Sequence, residues 1–289
     1  MLLQLVLSGI AQGSIYALLA LGMTALFRAT SVVNFAHGEL FMFGAFAVYV
    51  AIQVLGAPFA LAALFSVLVL FIFGMAIERL LMRPLAHGPH IATAMMTVAI
   101  SYFLKGIARI FWGREVYPMP PVFSYPPIEL YGLIITTQDL IIASMTLVFV
   151  SLFFWFFNRT NLGRIAQAAS ASPRGAALVG INVGAFHSTM WGVAAALGAV
   201  AGLLVAPITL LYPDMGGQVL IRAFAAMTLG GFGHLGGAVI GGLAIGIMEQ
   251  LAGGYISTAL IDIFALLVVI VVLIARPAGL FGRREIVRV

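Results

Sequence analysis

Long stretches without a single charge set the rhythm of this chain. Residues 1–27 and 40–77 contain no Asp, Glu, Lys or Arg, and a membrane-spanning helix needs only about 20 such residues. The second stretch is long enough for two passes, interrupted at Gly56-Ala57-Pro58. Further along, apolar runs and their breakers predict spans at 4–27, 40–56, 59–78, 91–112, 133–157, 184–211, 217–252 and 255–275. The fold class that follows is an all-α polytopic transmembrane bundle of eight or nine spans. The seventh decides the number. Between 216 and 254 the chain holds twelve glycines, Gly230, Gly231 and Gly233 among them, so 217–252 reads as a broken helix pair that crosses twice or leaves one half re-entrant. Such breaks are tolerated only where protein or a water-filled cavity covers the exposed backbone. Segment 113–131, with five prolines and Arg114 set against Glu115 and Glu129, reads as an ordered external loop. No repeat of 20–50 residues is evident, and residues 1–289 are expected to form one transmembrane domain.

Composition agrees with the pattern: 63% of residues are hydrophobic and 8% charged, against about a quarter charged in soluble domains. The basic residues gather at the ends of apolar runs, as Arg28; Arg79 and Arg83; Arg159, Arg164 and Arg174; and a tail with Arg276, Arg283, Arg284 and Arg288. Short cytoplasmic loops collect positive charge, which places the N-terminus outside and the first three groups inside. The tail joins them if 217–252 crosses twice. The net charge of +5 is thus loop charge, not a face for nucleic acid. Zero cysteines exclude disulfides and thiolate metal sites. The N-terminus has neither a basic n-region nor a small-residue cleavage site, so it reads as a retained span.

Several chemistries are missing. The single lysine, Lys105, is followed by Gly106, so the chain has no Gly-x-x-x-x-Gly-Lys-Ser/Thr phosphate loop and cannot bind ATP in that way itself. Neither a Gly-x-Ser-x-Gly elbow nor a His-Glu-x-x-His pair occurs, and the acids are too scattered to nominate an acid/base pair. An enzyme is not expected, and no catalytic residue is assigned.

Two polar segments stand out. Asn34-Phe-Ala-His37-Gly38-Glu39 lies between two apolar runs, and ionisable groups beside lipid-length segments raise a pathway or hinge hypothesis. Helical spacing puts Asn34 and His37 on one face and Glu39 on nearly the opposite one, so a metal site would need a break at Gly38. Glu39 acting at the positive end of a helix dipole is the plainer reading. The second segment, 158–182, holds the signals of a short loop helix. Ser172 can cap it, Pro173 fits its first position, and Gly180 can supply the left-handed residue that closes it. With small residues at 175–177 and Leu178-Val179 at its end, it offers a packing knob for a soluble partner, or merely tidies the connection.

Small residues four apart, as in Gly9/Gly13, Gly198/Gly202, Gly237/Gly241 and Gly242/Gly246, let helix backbones approach closely. Arg222, Glu249 and Asp262 read as ion pairs between helices, and Asp214 as an outward-facing acid. His87, His90, His187 and His234 sit at segment ends, where solvated or hydrogen-bonded imidazoles are ordinary.

Four blocks in order carry a family resemblance. They are Ser31-Val-Val-Asn34-Phe-Ala-His37-Gly38-Glu39; the loop from Gly163-Arg164 to Gly180-Ile181-Asn182; Leu229-Gly-Gly-Phe-Gly233 running into Gly236-Gly237-Ala-Val-Ile-Gly241-Gly242; and Arg276-Pro-Ala-Gly-Leu-Phe-Gly282. Together they resemble the LivH-type permease of branched-chain amino acid ABC importers over nearly the whole chain. Urea and short-chain amide permeases look similar throughout. The resemblance implies a bacterial cytoplasmic (inner) membrane location and pairing with a second, LivM-like permease. It further implies two cytoplasmic ATPase subunits that hold ATP and Mg, and an extracytoplasmic substrate-binding protein. This chain would bind no cofactor and no metal. By the same resemblance the 158–182 loop contains a coupling helix, with Gly163, Arg164, Ser172, Pro173, Arg174, Gly180 and Asn182 as ATPase-coupling positions. Asn34, His37, Gly38, Glu39, Gly230, Gly231 and Gly233 are the pathway or hinge candidates. The family usually has an amide or acid where Ser172 stands, and often Ser where His234 stands. The rival readings are a gradient-driven secondary transporter working alone and, more remotely, a membrane enzyme.

Overall fold

The computed structural model describes residues 1–86, 88–119, 126–130 and 133–282. His87, the side chain of His90, the tail arginines Arg283, Arg284 and Arg288, and part of the 113–131 loop lie outside the described residues. Helices run α1 Leu2–Thr30, α2 His37–Gln53, α3 Phe59–Ile77, α4 His90–Trp112 and α5 Thr137–Arg159. They continue as α6 Asn161–Ala171, α7 Pro173–Leu178, α8 Val183–Val205, α9 Met215–Gly230, α10 Leu235–Tyr255 and α11 Leu260–Ala275. A π-helical turn, Glu78–Met82, extends α3. An antiparallel hairpin pairs β1 Ile128–Leu130 with β2 Leu133–Ile135.

Six helical segments are long and apolar enough to cross a membrane, and α11 is a shorter apolar helix. With the 17-residue α2 and the 16-residue α9 the described residues hold nine long helices. The Gly-rich segment is a true helix pair: α9 and α10 lie against each other and turn at 231–234. In consequence the tail at 276–282 returns to the end of the bundle that holds α6 and α7. There the backbone N–H of Leu280 donates to Leu229 O at 2.8 Å, and Phe232 packs on Phe27 at the close of α1. The hairpin marks the opposite end, where Gln4 bonds both backbone groups of Ile134.

Several expected boundaries move, the start of the last helix from 255 to Leu260 among them. The fifth helix starts at Thr137, because residues 133–135 form β2 and Thr136 caps the helix by accepting from Asp139 N at 3.1 Å. The sixth long helix stops at Val205 instead of 211; Pro207 disfavours helix before it, and Leu211 exchanges two backbone bonds with Tyr117. The second helix begins at His37 and ends at Gln53, shifted from 40–56.

Helix α1 is the axis of the bundle, packed on α10, α8 and α9. Burial separates core from rim: 83% of the span window of α8 is inside, against 22% for α5, whose remaining face is left for lipid or another chain. The glycine pairs do what their spacing promises. A Cβ on Gly9 would stand 2.6 Å from the Ile247 backbone, and one on Gly246 would strike the Gly13 backbone, so α1 and α10 meet main chain to main chain.

Candidate functional site

After α1 the chain turns through Ser31, whose φ of 56° is left-handed, and doubles back into the bundle before α2 starts. Asn34, 1% exposed, sets that start: its Oδ1 accepts from Ala36 N at 2.9 Å, an Asx turn. Thr97 of α4 holds the same strand by accepting from Phe35 N at 3.2 Å. The His37 ring then packs beside Gly22 of α1 and Gly198 of α8. Gly22 lies eight residues before Thr30, about 12 Å along the helix axis, so α2 begins deep inside the protein. His37 is fully buried, and neither ring nitrogen has a hydrogen bond, although the Leu19 backbone approaches it.

The facing argument for Asn34, His37 and Glu39 does not survive this geometry. Asn34 precedes the helix, and Gly38 continues it without a break. Gly38 is instead a contact: a Cβ there would strike the Gly216 carbonyl, and a Cβ on Gly216 would strike Gly38 in return. The first turns of α2 and α9 therefore meet backbone to backbone, two positive helix ends side by side. Each carries an acid. Glu39, in the first turn of α2 and fully buried, makes no cap hydrogen bond and faces Lys105 Nζ at 3.2 Å, an ion pair without hydrogen-bond alignment. Asp214, immediately before α9, takes two bonds from Arg109 Nη2 at 2.7 and 2.9 Å. Lys105 and Arg109 are one helical turn apart on α4, so one face of that helix spans both ends.

At the other glycine cluster, Gly230 ends α9, and Gly231 (φ 103°) and Gly233 (φ 77°) make the turn. Positive φ at both suits glycine alone. The tail clamps this turn: a Cβ on Gly231 would lie 2.5 Å from Gly282 N, and Phe281 N donates to Gly230 O at 3.2 Å. His234 is exposed but hydrogen-bonded. Its Nδ1 accepts from Gly237 N at 2.8 Å as the cap of α10, and its ring stacks on Phe281 with centroids 5.5 Å apart.

The 158–182 loop holds two helices where one was expected. Thr160 caps α6 through Gly163 N at 3.0 Å, and Gly163 sits so close to the Phe157 carbonyl that a Cβ would collide. Arg164 bonds Asn161 Oδ1 at 2.7 Å. Ser172 accepts from Gly175 N at 3.1 Å, Pro173 opens α7, Gly180 has φ 85°, and Asn182 caps α8 through Ala185 N at 2.9 Å. Arg174 is exposed. The buried side of α7 is Ala176; Leu178 and Val179 stand out at 89% and 76% exposure. At the start of α8, Arg83 donates to Glu78 Oε2 at 3.0 Å, Ser188 Oγ at 2.8 Å and Gly184 O at 2.9 Å, while Ser188 also bonds Glu78. This knot fixes the start of α8 to the π-helical turn. Sequence reasoning took Arg83 only for loop charge; its partners are too distant in the chain for spacing to show them.

Between α1, α9 and α10 lies a cavity of about 270 Å³ with both polar and apolar walls. Arg222 Nε donates to Glu249 Oε1 at 2.7 Å, and its Nη2 lies 3.6 Å from Asp262 Oδ1. The interhelical pairing expected of these three groups is present. Among the described residues, no three His, Asp or Glu side chains come together as a metal site.

Comparison with known proteins puts these features in a family. LivH of Escherichia coli K12, described as a high-affinity branched-chain amino acid transport system permease protein, is 30% identical over 99% of this chain and 97% of its own length. BraD of Pseudomonas aeruginosa, described in the same terms, is 30% identical over 99% and 98%. A probable branched-chain amino acid transport permease of Methanocaldococcus jannaschii is 29% identical over 96% and 92%. The solved PsaBC from Streptococcus pneumoniae shares the fold, with a TM-score of 0.51 at 12% identity over 94% of this chain and 91% of that one. The profile of the family "branched-chain amino acid transport system / permease component" matches residues 5–273, and this multi-pass membrane chain belongs to that family.

Proposed function

We propose that the chain is the transmembrane permease subunit of an ATP-driven importer that moves branched-chain amino acids inward across the bacterial cytoplasmic membrane. The observation that carries the ATP-driven part is α7: a capped six-residue helix at one end of the bundle that presents Leu178 and Val179 almost fully to the outside. Two adjacent, large apolar side chains held out by a rigid turn fit a partner's groove. In this reading the partners are two ATPase subunits, which hold ATP and Mg, a second LivM-like permease and an extracytoplasmic binding protein. The cargo assignment rests on what the relatives are named for.

ATP binding in the partners would draw the two coupling loops together. The Arg83–Glu78–Ser188 knot would then pass that motion from α7 into α3 and α8, and the α2–α9 contact at Gly38 and Gly216 would slide or hinge. A gradient-driven transporter working alone has no use for α7. The test is the double variant Leu178→Asp/Val179→Asp. It should keep the purified permease folded yet lose co-purification of the ATPase subunits and ATP-driven uptake. Uptake at the wild-type rate by that variant would overturn the coupling role.

A further inference from the structure

We propose that the cavity between α1, α9 and α10 is a station for the amino-acid zwitterion on the permeation path, with Arg222 receiving the carboxylate and Glu249 the ammonium. The inference rests on the import reading above and names side chains for it.

The residues come in helical pairs. Gln12 and Tyr16 face the cavity from α1, Gln218 and Arg222 from α9, each pair one turn apart. Glu249 stands opposite on α10. An arginine has five N–H donors; here Nε goes to Glu249 Oε1, and Asp262 at 3.6 Å is beyond hydrogen-bond distance, so donors remain for an incoming carboxylate. Glu249 is 2% exposed and adjoins the Tyr16 hydroxyl, which itself accepts from Gln12 at 3.0 Å, and its Oε2 takes no well-aligned hydrogen bond. A buried carboxylate oxygen left unmatched is costly, and an ammonium group supplies what it lacks.

The remainder of the wall suits an aliphatic side chain: Ile15, Val205, Met215, Val219 and Ile261 line it. The volume also fits. A leucine fills the space of about six waters at ≈ 30 Å³ each, well inside about 270 Å³. Position places the cavity on an entry route. It lies under the 206–214 connection at the hairpin end, and Glu249 is six residues from the end of α10, about 9 Å in. Asp262, with its side chain 78% exposed, stands at the rim. The site thus joins opposite charges, amide side chains and an apolar wall, the set that recognises a neutral amino acid and leaves urea without a counter-ion.

The chain's lack of cysteine makes the test direct. Gln218→Cys puts a single thiol of this chain on the cavity wall, and Val116→Cys, an exposed position, serves as control. In the purified complex with its partner subunits, modification by a charged methanethiosulfonate is followed by mass on this chain. Leucine at ten times its dissociation constant should slow modification of Gln218→Cys about tenfold, with no effect at the control and none from urea. Equal rates with and without leucine would overturn the site; protection by urea as well would overturn the zwitterion assignment. Glu249→Gln, which keeps a hydrogen-bonding group but drops the charge, should lose uptake while retaining binding-protein-stimulated ATP hydrolysis, and unchanged uptake would count against the station. Leucine uptake by the wild-type complex in the same preparation separates the two readings: protection without uptake leaves the site standing and removes the import assignment.

Discussion

Lys105 is the chain's one lysine, and it stands beside a carboxylate that is fully buried. Removing one partner of a buried pair strands the other charge, so Lys105→Met should destabilise the protein by about 3–5 kcal/mol. The double variant Lys105→Met/Glu39→Gln should recover most of the loss. Thermal unfolding in detergent reads both, and a wild-type Tm for Lys105→Met would show that the pair does not hold α4 to α2. Gly246→Leu makes a second test, since its side chain must displace the Gly13 backbone. Overpacking of that kind costs about 1–3 kcal/mol or more, and unchanged unfolding would mean the α1–α10 seam is looser than it stands. At this scale the sequence was half legible. Glu39 announced itself as an acid in an apolar setting, but nothing in spacing could pair it with a lysine two helices away. Asn34 looked like a member of a polar face and proved to be a turn former, because the chain re-enters the bundle before it becomes helical.

Among the elements, α7 was the most readable. A serine cap, a proline at the first position and a glycine close are chemistry within a few residues, and each appears where those residues stand. Ser172→Ala should cost about 1 kcal/mol of local helix stability with little change in global unfolding, yet lower ATP-driven uptake several-fold. Loss of global stability instead would make the helix a structural strut. The hairpin was not readable, because β2 opens an apolar run that reads as one span and its side-chain partner, Gln4 of α1, is far off in sequence. The true end of α8 was available in Pro207, whose breaking effect the surrounding apolar run concealed. The broken pair at α9 and α10 was visible in its glycines, whereas the tail that clamps its turn was not. Tail and turn meet only once α11 has brought 276–282 back across the bundle.

For the whole molecule, the N-terminus and the described tail lie at opposite ends, and α6, α7 and the residues after α11 share one face. In the proposed importer that arrangement would give the ATPase partners one surface and the binding protein the other, with the cavity on the binding-protein side. Hydropathy and the grouping of arginines already implied that the tail returns to the end of α6 and α7 once the Gly-rich segment was taken as two crossings. The interior could not be read that way, since which helix faces lipid and which is the axis depends on glycine seams joining helices far apart in the chain. The central claim is ATP-driven import of branched-chain amino acids, and one measurement meets it head on. Labelled leucine uptake is followed in vesicles carrying this permease with its partner subunits and binding protein, with and without ATP reaching the ATPases, and with unlabelled urea as competitor. Uptake that needs ATP and ignores urea is the predicted result. Equal uptake without ATP would contradict the ATP-driven mechanism, and ATP-dependent movement of urea but not leucine would contradict the cargo.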